Sequence, residues 1–409
     1  MVYVLSKDEK PLMPCENVVA RLLLKDKKAK VKCKEPFTIK LLVDSTEYTQ
    51  PLTLGIDTGT RHIGSAVVNE KGDVLYMAQT MTRTGIKKRM TRRSKSRRFR
   101  RSRKTRYRKS RFLNRKNSIR KDRFAPTVKS IIDSNDREIK EIYKILPITS
   151  LVIETGKFDP HLIKNPALAN EKVKRWGYQK GTKYGYANNR AFVLARDKYT
   201  CQRCKKKGGK MEAHHVLPKS KGGQDIPENM ITLCPDCHYG IHHKGYELNV
   251  KVKKRVNLAD ATQMNSLRVQ ILRRYPEAIE TFGYVTKENS WSLGIPKDHH
   301  LDACVIASGG NPINFRQNIV YYKRCVSEGC YQVSNGVPRK IMGFLTFDKV
   351  KYKGKCYFIG TRYSTGYATL CDINGEKQIF TNPKTPKMCN MKRITPAKSV
   401  IIDTKQLVL

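Results

Sequence analysis

The sequence predicts an α/β protein of several domains, in which one sheet-forming domain is interrupted by long insertions. Apolar, β-branched runs in separate parts of the chain end in single carboxylates, a block of Lys and Arg follows the first of them, and a cluster of Cys and His divides the later ones. With 409 residues, of which 39% are hydrophobic, the chain is long enough for about two to four domains with cores of their own.

The chain carries a large excess of positive charge. It has 82 Lys and Arg against 35 Asp and Glu, a formal net charge of +47. Because so large a like charge opposes compaction, we expect a polyanionic partner. Nucleic acid is the partner that this charge favours, and an acidic membrane surface is the alternative. No long apolar run and no apolar leader occurs, which predicts a cytoplasmic protein that is neither exported nor inserted in a membrane.

The stretch LTLGIDTGTRHIGSAVV contains the first carboxylate, Asp57. LTLGI predicts a buried strand, and HIGSAVVN and VLYMAQ, joined by the turn EKGD, predict two more strands of a meander. Asp57 therefore lies at a strand end, two residues before Gly59, which we expect to let backbone and substrate come close. A cap of the turn is one interpretation of Asp57. A metal ligand is the other, and it requires further ligands nearby.

Two further carboxylates follow the same pattern. The helix-like segment IIDSNDREIKEIYKIL precedes the apolar run PITSLVIETGKF, which ends in Glu154. Farther on, AIETFGYVTK predicts a strand, and GIPKDHHLDACVIAS predicts a helix on which Asp302 follows His299 by one turn. Asp57, Glu154 and Asp302 can thus converge from two strand ends and a helix on a pair of divalent ions.

Four cysteines form two CxxC pairs, CQRC and CPDC: Cys201, Cys204, Cys234 and Cys237. In a cytosolic chain this spacing is typical of a tetrahedral structural zinc site. Two redox couples are the alternative, but the βαβ pattern that usually surrounds such couples is missing from the sequence.

Five of the nine histidines lie close to these cysteines: His214, His215, His238, His242 and His243. The order is a His pair on a short strand, a Gly-containing loop, an Asn before a second strand, and a helix. On that helix His238 and His242 are four residues apart, so both imidazoles can face one ion. A second, purely structural zinc is the alternative to a catalytic ion.

This cluster resembles an HNH nuclease module, a ββα-metal fold braced by a four-cysteine Zn²⁺, over roughly residues 188 to 246. The resemblance implies that three histidines hold one catalytic Mg²⁺: His214, His238 and His242. It also implies that His215 is the general base and that Asn229 orients it. A neutral imidazole can accept a proton near pH 7, which suits that role.

The three carboxylates resemble those of a RuvC nuclease of ribonuclease H-like fold, here divided into three pieces by insertions. The resemblance implies that Asp57, Glu154 and Asp302 bind two Mg²⁺ and that His299 helps to activate water. Two ions about 3.5 to 4 Å apart suit in-line hydrolysis of a phosphodiester.

The first insertion is strongly basic. From Lys87 to Arg111 it holds sixteen Lys or Arg and no acidic residue, Pro or Gly. We expect a helix that lies along RNA phosphates, and a disordered tail or localisation signal is the alternative. Ten arginines are the expected nucleic-acid contacts: Arg92, Arg93, Arg97, Arg98, Arg100, Arg101, Arg103, Arg106, Arg108 and Arg111.

A split RuvC domain, an arginine-rich bridge and an inserted HNH module together resemble the IscB family, transposon-encoded (OMEGA) RNA-guided nucleases related to the effectors of type II CRISPR systems. KPLMP near the N-terminus resembles the PLMP domain of that family. The resemblance implies an omega guide RNA, a double-stranded DNA target and one protein copy in a prokaryotic, nucleoid-associated ribonucleoprotein. In the family, HNH cuts the guide-paired strand and RuvC cuts the displaced strand.

The resemblance also implies domain boundaries: PLMP 1–50, RuvC-I 51–84, bridge helix 85–124, RuvC-II 125–180, HNH domain with its four-cysteine zinc 181–250, RuvC-III 251–308 and C-terminal domain 309–409. Tyr-rich alternating runs in the last segment predict a small antiparallel β domain. By the resemblance this domain contacts RNA and the target-adjacent motif.

Two other functions stay open at this point. One is a guided or RNA-binding protein that does not cut, and the other is an unguided HNH endonuclease of the homing type. The carboxylate trio together with His215 favours the enzyme, because a binding module has no need of both. The second predicted nuclease centre and the long basic segment disfavour the unguided enzyme.

Overall fold

The computed structural model describes residues 1–103, 124–164, 166–170, 177–178, 180, 183–219, 223, 225–248, 258–315, 319–325, 340–397 and 400–407. Three of the predicted nucleic-acid contacts lie outside the described residues: Arg106, Arg108 and Arg111. The tertiary contacts divide the chain into two compact units. Unit 1 comprises Met1–Lys157 and Gln263–Leu409, and unit 2 comprises Phe158–Thr262.

The described strands and helices are numbered here in chain order. The strands are β1 Val2–Leu5, β2 Pro11–Cys15, β3 Ala29–Lys34, β4 Phe37–Leu41, β5 Leu52–Asp57, β6 His62–Asn69, β7 Val74–Met81, β8 Ser150–Thr155, β9 Glu212–His215, β10 Met230–Leu233, β11 Ile279–Phe282, β12 Ile319–Cys325, β13 Lys349–Tyr352, β14 Lys355–Arg362, β15 Ala368–Cys371, β16 Lys392–Thr395 and β17 Val400–Gln406. The helices are α1 Asn17–Lys25, α2 Ile86–Ser102, α3 Pro126–Tyr143, α4 Pro160–Lys164, α5 Asn189–Arg196, α6 Pro235–His243, α7 Ala259–Arg274, α8 Gly283–Ser292 and α9 His299–Ser308. Every helix that the structure describes is too short or too polar to cross a lipid bilayer.

Unit 1 is built on a seven-stranded mixed sheet with the strand order β11-β8-β5-β6-β7-β12-β17. The predicted meander of β5, β6 and β7 is confirmed, and β8 and β11 join it in parallel beside β5. On the other side, β12 pairs in parallel with β7 and β17 pairs antiparallel with β12. The segment 309–409 is therefore not confined to a domain of its own, because two of its strands cover the otherwise open edge of β7.

The two faces of this sheet are covered by different helices. On one face Leu52, Leu54 and Ile56 pack in one apolar core with residues of α3 and α7. On the other face α9 approaches so closely that a Cβ on Gly55 would lie 2.4 Å from the carbonyl oxygen of Ala303. Since side chains alternate along a strand, Asp57 lies on the same face as Gly55, beneath α9.

The predicted helix before β8 is confirmed, and α3 begins with Pro126 at its first turn, a position that tolerates proline. The predicted strand AIETFGYVTK is wrong in its second half. β11 ends at Phe282 and α8 begins at Gly283. The β-branched Val285 and Thr286 favour a strand locally, but the helix lets Thr286 donate a hydrogen bond to the carboxylate of Glu154, so the tertiary contact overrides the propensity.

Two four-stranded sheets complete unit 1. The N-terminal sheet has the order β2-β1-β4-β3 and packs with Ala20 of α1. The second sheet has the order β15-β14-β13-β16, and every described pairing in it is antiparallel, as the Tyr-rich alternation predicts.

Unit 2 contains the β9–β10 hairpin, in which His214 is paired with Ile231. Asn188 caps α5 by accepting a hydrogen bond from the amide of Ala191. From the end of that helix Arg196 donates hydrogen bonds to the carbonyl oxygens of Pro227 and Met230, so α5 holds the start of β10 in place.

A buried ion pair ties α3 to the sheet of unit 1. Lys323 of β12 lies 3.0 Å from Oε1 of Glu138, and both side chains are almost fully buried. Ser65 and Thr80 also donate hydrogen bonds to Glu138, at 2.9 Å each. Burial alone would raise the pKa of Glu138, but the charge of Lys323 and these hydrogen bonds outweigh it and lower that pKa.

We expect Lys323→Ala to lower the free energy of unfolding of the protein by about 3 to 5 kcal/mol, because it leaves the carboxylate of Glu138 buried without a cation. Since the folded-state pKa of Glu138 is lowered, its contribution is present above the unfolded pKa of about 4.3 and is lost as pH falls below it. Urea unfolding of both proteins from pH 7 to pH 3 measures both effects.

Lys140→Ala is the matched control. Lys140 pairs with Asp136 on the same helix at 2.9 Å, but its side chain is exposed, so the loss is expected to be about 0.5 kcal/mol. Equal losses from the two substitutions would contradict the assignment of a stabilising role to the buried pair.

Candidate metal centres

Unit 1 brings Asp57, Glu154, His299 and Asp302 to the carboxyl-terminal ends of β5 and β8. Asp57 and Glu154 are directly paired in the parallel register of these two strands, so their side chains lie on the same face. His299 is the first residue of α9, and its Nδ1 lies 2.6 Å from Oδ2 of Asp57. Asp302 follows one turn later on the same helix. These four residues lie in one region of unit 1, but the three carboxylates do not form a group whose ligand atoms all lie within 4.8 Å of one another.

The charges in this centre repel one another. Burial and the charges of Asp57 and Asp302 raise the pKa of Glu154 to about 7. Burial and the charge of Asp57 raise the pKa of Asp302 to about 6. The hydrogen bond with Asp57 raises the pKa of His299. Such a cluster favours protons or a cation, and carboxylate oxygens are the ligands that Mg²⁺ prefers.

Near Asp57, two glycines allow backbone segments to lie closer together than a residue with a Cβ would permit. A Cβ on Gly64 would lie 1.8 Å from the carbonyl oxygen of His299, so only glycine lets β6 pass under the start of α9. A Cβ on Gly59 would lie 1.8 Å from the carbonyl oxygen of His62. The observed reason for Gly59 is thus a tight turn within the chain, which differs from the substrate approach expected from the sequence.

Three residues of this centre were missed by the sequence analysis. Thr286 of α8 donates a hydrogen bond to Glu154. The ring of His62 stacks on that of His299, with centroids 5.3 Å apart and planes 15° apart. Lys297 lies near enough to lower the pKa values of Glu154 and Asp302 by its charge. No local pattern marks Thr286 or Lys297, whereas His62 stands only five residues after Asp57.

Unit 2 brings together the three histidines predicted to hold one ion. His214 lies on β9, and His238 and His242 lie on one face of α6. Each residue offers a ligand atom within 4.8 Å of the others, and the ring centroids are 4.9 to 5.1 Å apart. Burial and the two neighbouring imidazoles lower the pKa of His214 to about 4, so its ring is neutral at pH 7 with a lone pair available to a metal.

Neighbouring side chains orient these histidines. Oε2 of Glu212 lies 2.6 Å from Nδ1 of His238. Because an ionised carboxylate only accepts hydrogen bonds, Nδ1 carries the proton and Nε2 is left free for a metal ion. The sequence analysis missed Glu212, although it stands two residues before His214 and so on the same face of β9.

His215 follows the first of these ligands and points to the opposite side of β9. Its Nε2 lies 3.2 Å from Oδ1 of Asp225. The side chain of Asn229 was expected to orient His215. Its amide donates to the carbonyl oxygen of Leu217 and its oxygen accepts from the amide of Leu217, at 3.0 and 2.9 Å, so through these bonds it holds the backbone two residues beyond His215.

The four cysteines of the CxxC pairs also converge, and we call them the four-cysteine group. The Sγ atoms of Cys201, Cys204, Cys234 and Cys237 all lie within 4.8 Å of one another. Burial raises the pKa of Cys237 to about 12, whereas backbone hydrogen bonds outweigh burial at Cys201 and lower its pKa to about 6. Ionisation of all four thiols therefore needs a bound cation, and four thiolates are the ligand set of structural zinc. The four-cysteine group and the histidine triad are the two such close groups among the residues that the structure describes.

The described part of the basic segment is helical, as predicted. α2 has no buried residue, and Arg92, Arg93, Arg97, Arg98 and Arg100 are exposed along it. Arg101 is half-buried on the helix, and Arg103 follows its end. The helix presents cations over its whole surface, which an amphipathic core helix does not do.

Two family models match the chain. One, described as RRXRR protein, matches residues 2–181, and the other, described as HNH endonuclease, matches residues 201–244. The pattern that gives the first its name occurs on α2 as RRFRR, residues 97–101.

Two curated proteins are similar to short parts of the chain. The type IV methyl-directed restriction enzyme EcoKMcrA of Escherichia coli (strain K12) is 36% identical over 62 residues, which are 13% of this chain and 22% of that enzyme. Anaredoxin of Nostoc sp. is 40% identical over 58 residues, which are 14% of this chain and 74% of anaredoxin. The chain thus spans about a fifth of the restriction enzyme and about three quarters of anaredoxin.

Solved structures with partial similarity include two Cas9 proteins. Streptococcus thermophilus Cas9 in complex with the AGAA PAM matches with a TM-score of 0.34 and 12% identity, over 59% of this chain and 32% of that chain. The type II-C Cas9 of Actinomyces naeslundii matches with a TM-score of 0.20 and 12% identity, over 64% and 60%.

The β9–β10 hairpin and α6, which bring the three histidines together, and the four-cysteine group all lie in the segment that the HNH endonuclease model matches. The chain carries an HNH endonuclease domain and, before it in the sequence, an RRXRR region.

We expect the affinity of the carboxylate centre for Mg²⁺ to rise with pH between about pH 5.5 and 8 and then to level off. Glu154 and Asp302 hold protons in this range, which the metal must displace. Calorimetric titration in two buffers of different ionisation enthalpy measures the affinity and the protons released. The titration uses a His214→Ala background, so that the histidine triad does not contribute. An affinity that does not change over this range would contradict the assignment of these two carboxylates as ligands.

We expect Glu212→Gln to lower the affinity of the histidine triad for Mg²⁺ or Mn²⁺ about 10- to 100-fold, because the amide of Gln can donate to Nδ1 of His238 as well as accept from it and so no longer fixes the tautomer. Titration in an Asp57→Ala background isolates this site. Glu228→Gln, an exposed substitution in the same unit, should leave the affinity unchanged. If both variants bind metal as the parent does, Glu212 has no part in the site.

Proposed function

We propose that this chain is an RNA-guided DNA endonuclease of the IscB type that makes a double-strand break by metal-dependent phosphodiester hydrolysis. The observation that carries the proposal is the presence of two chemically different metal-facing groups in one chain. Unit 2 offers three imidazoles next to His215, and unit 1 offers three carboxylates next to His299. A chain that cuts two strands of opposite polarity has use for two such centres.

In the HNH domain, we assign His215 as the general base that takes a proton from the attacking water. Its neighbour across the loop, Asp225, can hold the imidazole and stabilise the imidazolium that forms. His214, His238 and His242 would hold one Mg²⁺, which stabilises the leaving oxygen when bound. The triad contains no carboxylate, so it adds no repulsion toward a phosphate.

In the RuvC-type centre, we assign Asp57, Glu154 and Asp302 as ligands of two Mg²⁺ and His299 as the residue that helps to activate water. When bound, these ions orient the phosphate and neutralise developing charge. The hydrogen bond from His299 to Asp57 fixes the ring, and the stacked ring of His62 restricts it further. Zn²⁺ in the four-cysteine group would have a structural role only.

The guide is proposed to be an omega RNA bound along the arginine-rich segment. Exposed arginines at close spacing on α2 favour phosphate contacts, and many such contacts give a steep dependence of affinity on salt. We assign the PLMP, split RuvC, bridge and HNH segments to the ranges predicted from the sequence. Residues 309–409 supply two strands to the RuvC-type sheet and a β domain that would contact RNA and the target-adjacent motif.

The test is strand-specific cleavage of a plasmid with a guide-matched site and randomised flanks, in Mg²⁺, by one protein copy bound to its RNA. We expect wild type to break both strands. His215→Ala should slow cutting of the guide-paired strand about 10²- to 10⁴-fold, and Asp57→Ala should abolish cutting of the displaced strand.

The control variants are His243→Ala and Asp44→Ala, both exposed. They should cut as wild type does, and RNA-free protein should cut neither strand. Binding of the site without cutting would replace the proposal with guided occupancy. Cutting without RNA would replace it with an unguided HNH endonuclease.

A further inference from the structure

Helix α8 buries polar side chains and exposes aromatic ones, which is the reverse of an ordinary surface helix. Its buried side chains are Thr286 and Ser290, whereas Tyr284 and Trp291 are 71% and 73% exposed. Tyr284 and Trp291 are seven residues apart, so they lie on one face of the helix about 10 Å apart along its axis. Large aromatic rings exposed on one face of a helix whose polar side chains are buried offer a surface for a ligand.

Cations accompany these rings. Nζ of Lys287 lies 4.5 Å from the centroid of the Trp291 ring, and Nζ of Lys157 lies 5.3 Å from that of Phe282. The rings of Phe282 and Tyr284 are nearly parallel, at 7°, with centroids 6.1 Å apart. We call these five residues the aromatic face. Glu288 is also exposed on this side of the helix.

The aromatic face adjoins the carboxylate centre. Thr286, on the opposite side of α8, donates a hydrogen bond to Glu154, and a Cβ on Gly283 would lie 3.2 Å from Oε1 of Glu154. Lys297, in the connection from α8 to α9, acts by its charge on Glu154 and Asp302. The aromatic face and the carboxylate centre therefore meet at the start of α8, and a polymer on the aromatic face reaches the carboxylates by passing around that end of the helix at Gly283.

We propose that the aromatic face is a stacking platform for single-stranded DNA and delivers the displaced strand to the carboxylate centre. The delivery step and the choice of DNA over RNA rest on the proposed function, whereas the binding of a single strand does not. Bases stack on exposed aromatic rings without regard to sequence, and lysines beside the rings contact the phosphates. The distance from Tyr284 to Trp291 matches about three base steps of 3.4 Å.

A single strand fits this surface better than the other candidates. In a duplex the faces of the bases are covered by their neighbours, so they are not available to Tyr284 and Trp291. A protein partner that covers aromatic rings has no need of lysines over them, whereas a polyanion does. DNA is favoured over RNA because the adjoining centre is the one assigned to the displaced DNA strand.

Tryptophan fluorescence tests the binding step. The chain has two tryptophans, so Trp176→Phe leaves Trp291 as the only one. Titration of this full-length variant, bound to its RNA and without Mg²⁺, with a short oligothymidylate should quench the fluorescence of Trp291 in a saturable manner. Tyr284→Ala should weaken this binding about tenfold, which corresponds to about 1.4 kcal/mol, and Tyr48→Ala, at a 91% exposed tyrosine elsewhere, should not.

Two results of the titration would overturn the proposal: no quenching at saturation, or equal quenching by a duplex of the same length. Equal quenching by oligouridylate would overturn the assignment to DNA in favour of RNA.

Strand-specific cleavage tests the delivery step. Trp291→Ala should slow cutting of the displaced strand about tenfold and leave cutting of the guide-paired strand unchanged, and Trp291→Phe should restore most of the rate because a phenyl ring also stacks. Equal slowing of both strands, or of neither, would refute delivery. If oligothymidylate quenches the fluorescence of Trp291 but the wild-type protein cuts neither strand, the proposed function fails while the stacking platform stands.

Discussion

The parallel pairing of β5 with β8 is the constraint on which the centre of unit 1 depends. Its register sets Asp57 against Glu154, and the apolar alternation of β5 decides which face both carboxylates occupy. Neither carboxylate could turn away without moving Leu54 and Ile56 out of the core. The hydrophobic core of the sheet therefore holds together charges that repel each other, and burial together with that repulsion raises the pKa of Glu154.

The two units position their candidate metal ligands in different ways. In unit 1 charged ligands repel and are fixed by a sheet, a helix start and glycines that permit close approach. In unit 2 the histidine triad contains no carboxylate, and a short hairpin and a helix hold its three residues. A unit of about a hundred residues, with a small core, could carry such a site if a cation held by the four-cysteine group braced it.

Much of the sheet and of both centres could be predicted from the sequence, because the signals are local. Strand alternation, CxxC spacing and the four-residue spacing of His238 and His242 are each read within a few residues. What could not be predicted comes from pairs far apart in the chain. Thr286 bonds Glu154 across 132 positions, and Lys323 pairs with Glu138 across 185. The strand predicted beyond Phe282 is wrong for the same reason, since the contact that favours the helix is not in the local sequence.

The strand order has a consequence for the way the chain is made. β5 pairs with residues about a hundred positions later, and the far edge of the same sheet is closed by β17, which ends at Gln406. The four-cysteine group and the histidine triad, in contrast, lie entirely between residues 201 and 242. During synthesis the inserted unit therefore has every ligand it needs before the sheet that flanks it in sequence has its last strand. On the ribosome, unit 2 can therefore fold before β17 has been synthesised, whereas the sheet that begins with β5 cannot be completed until then.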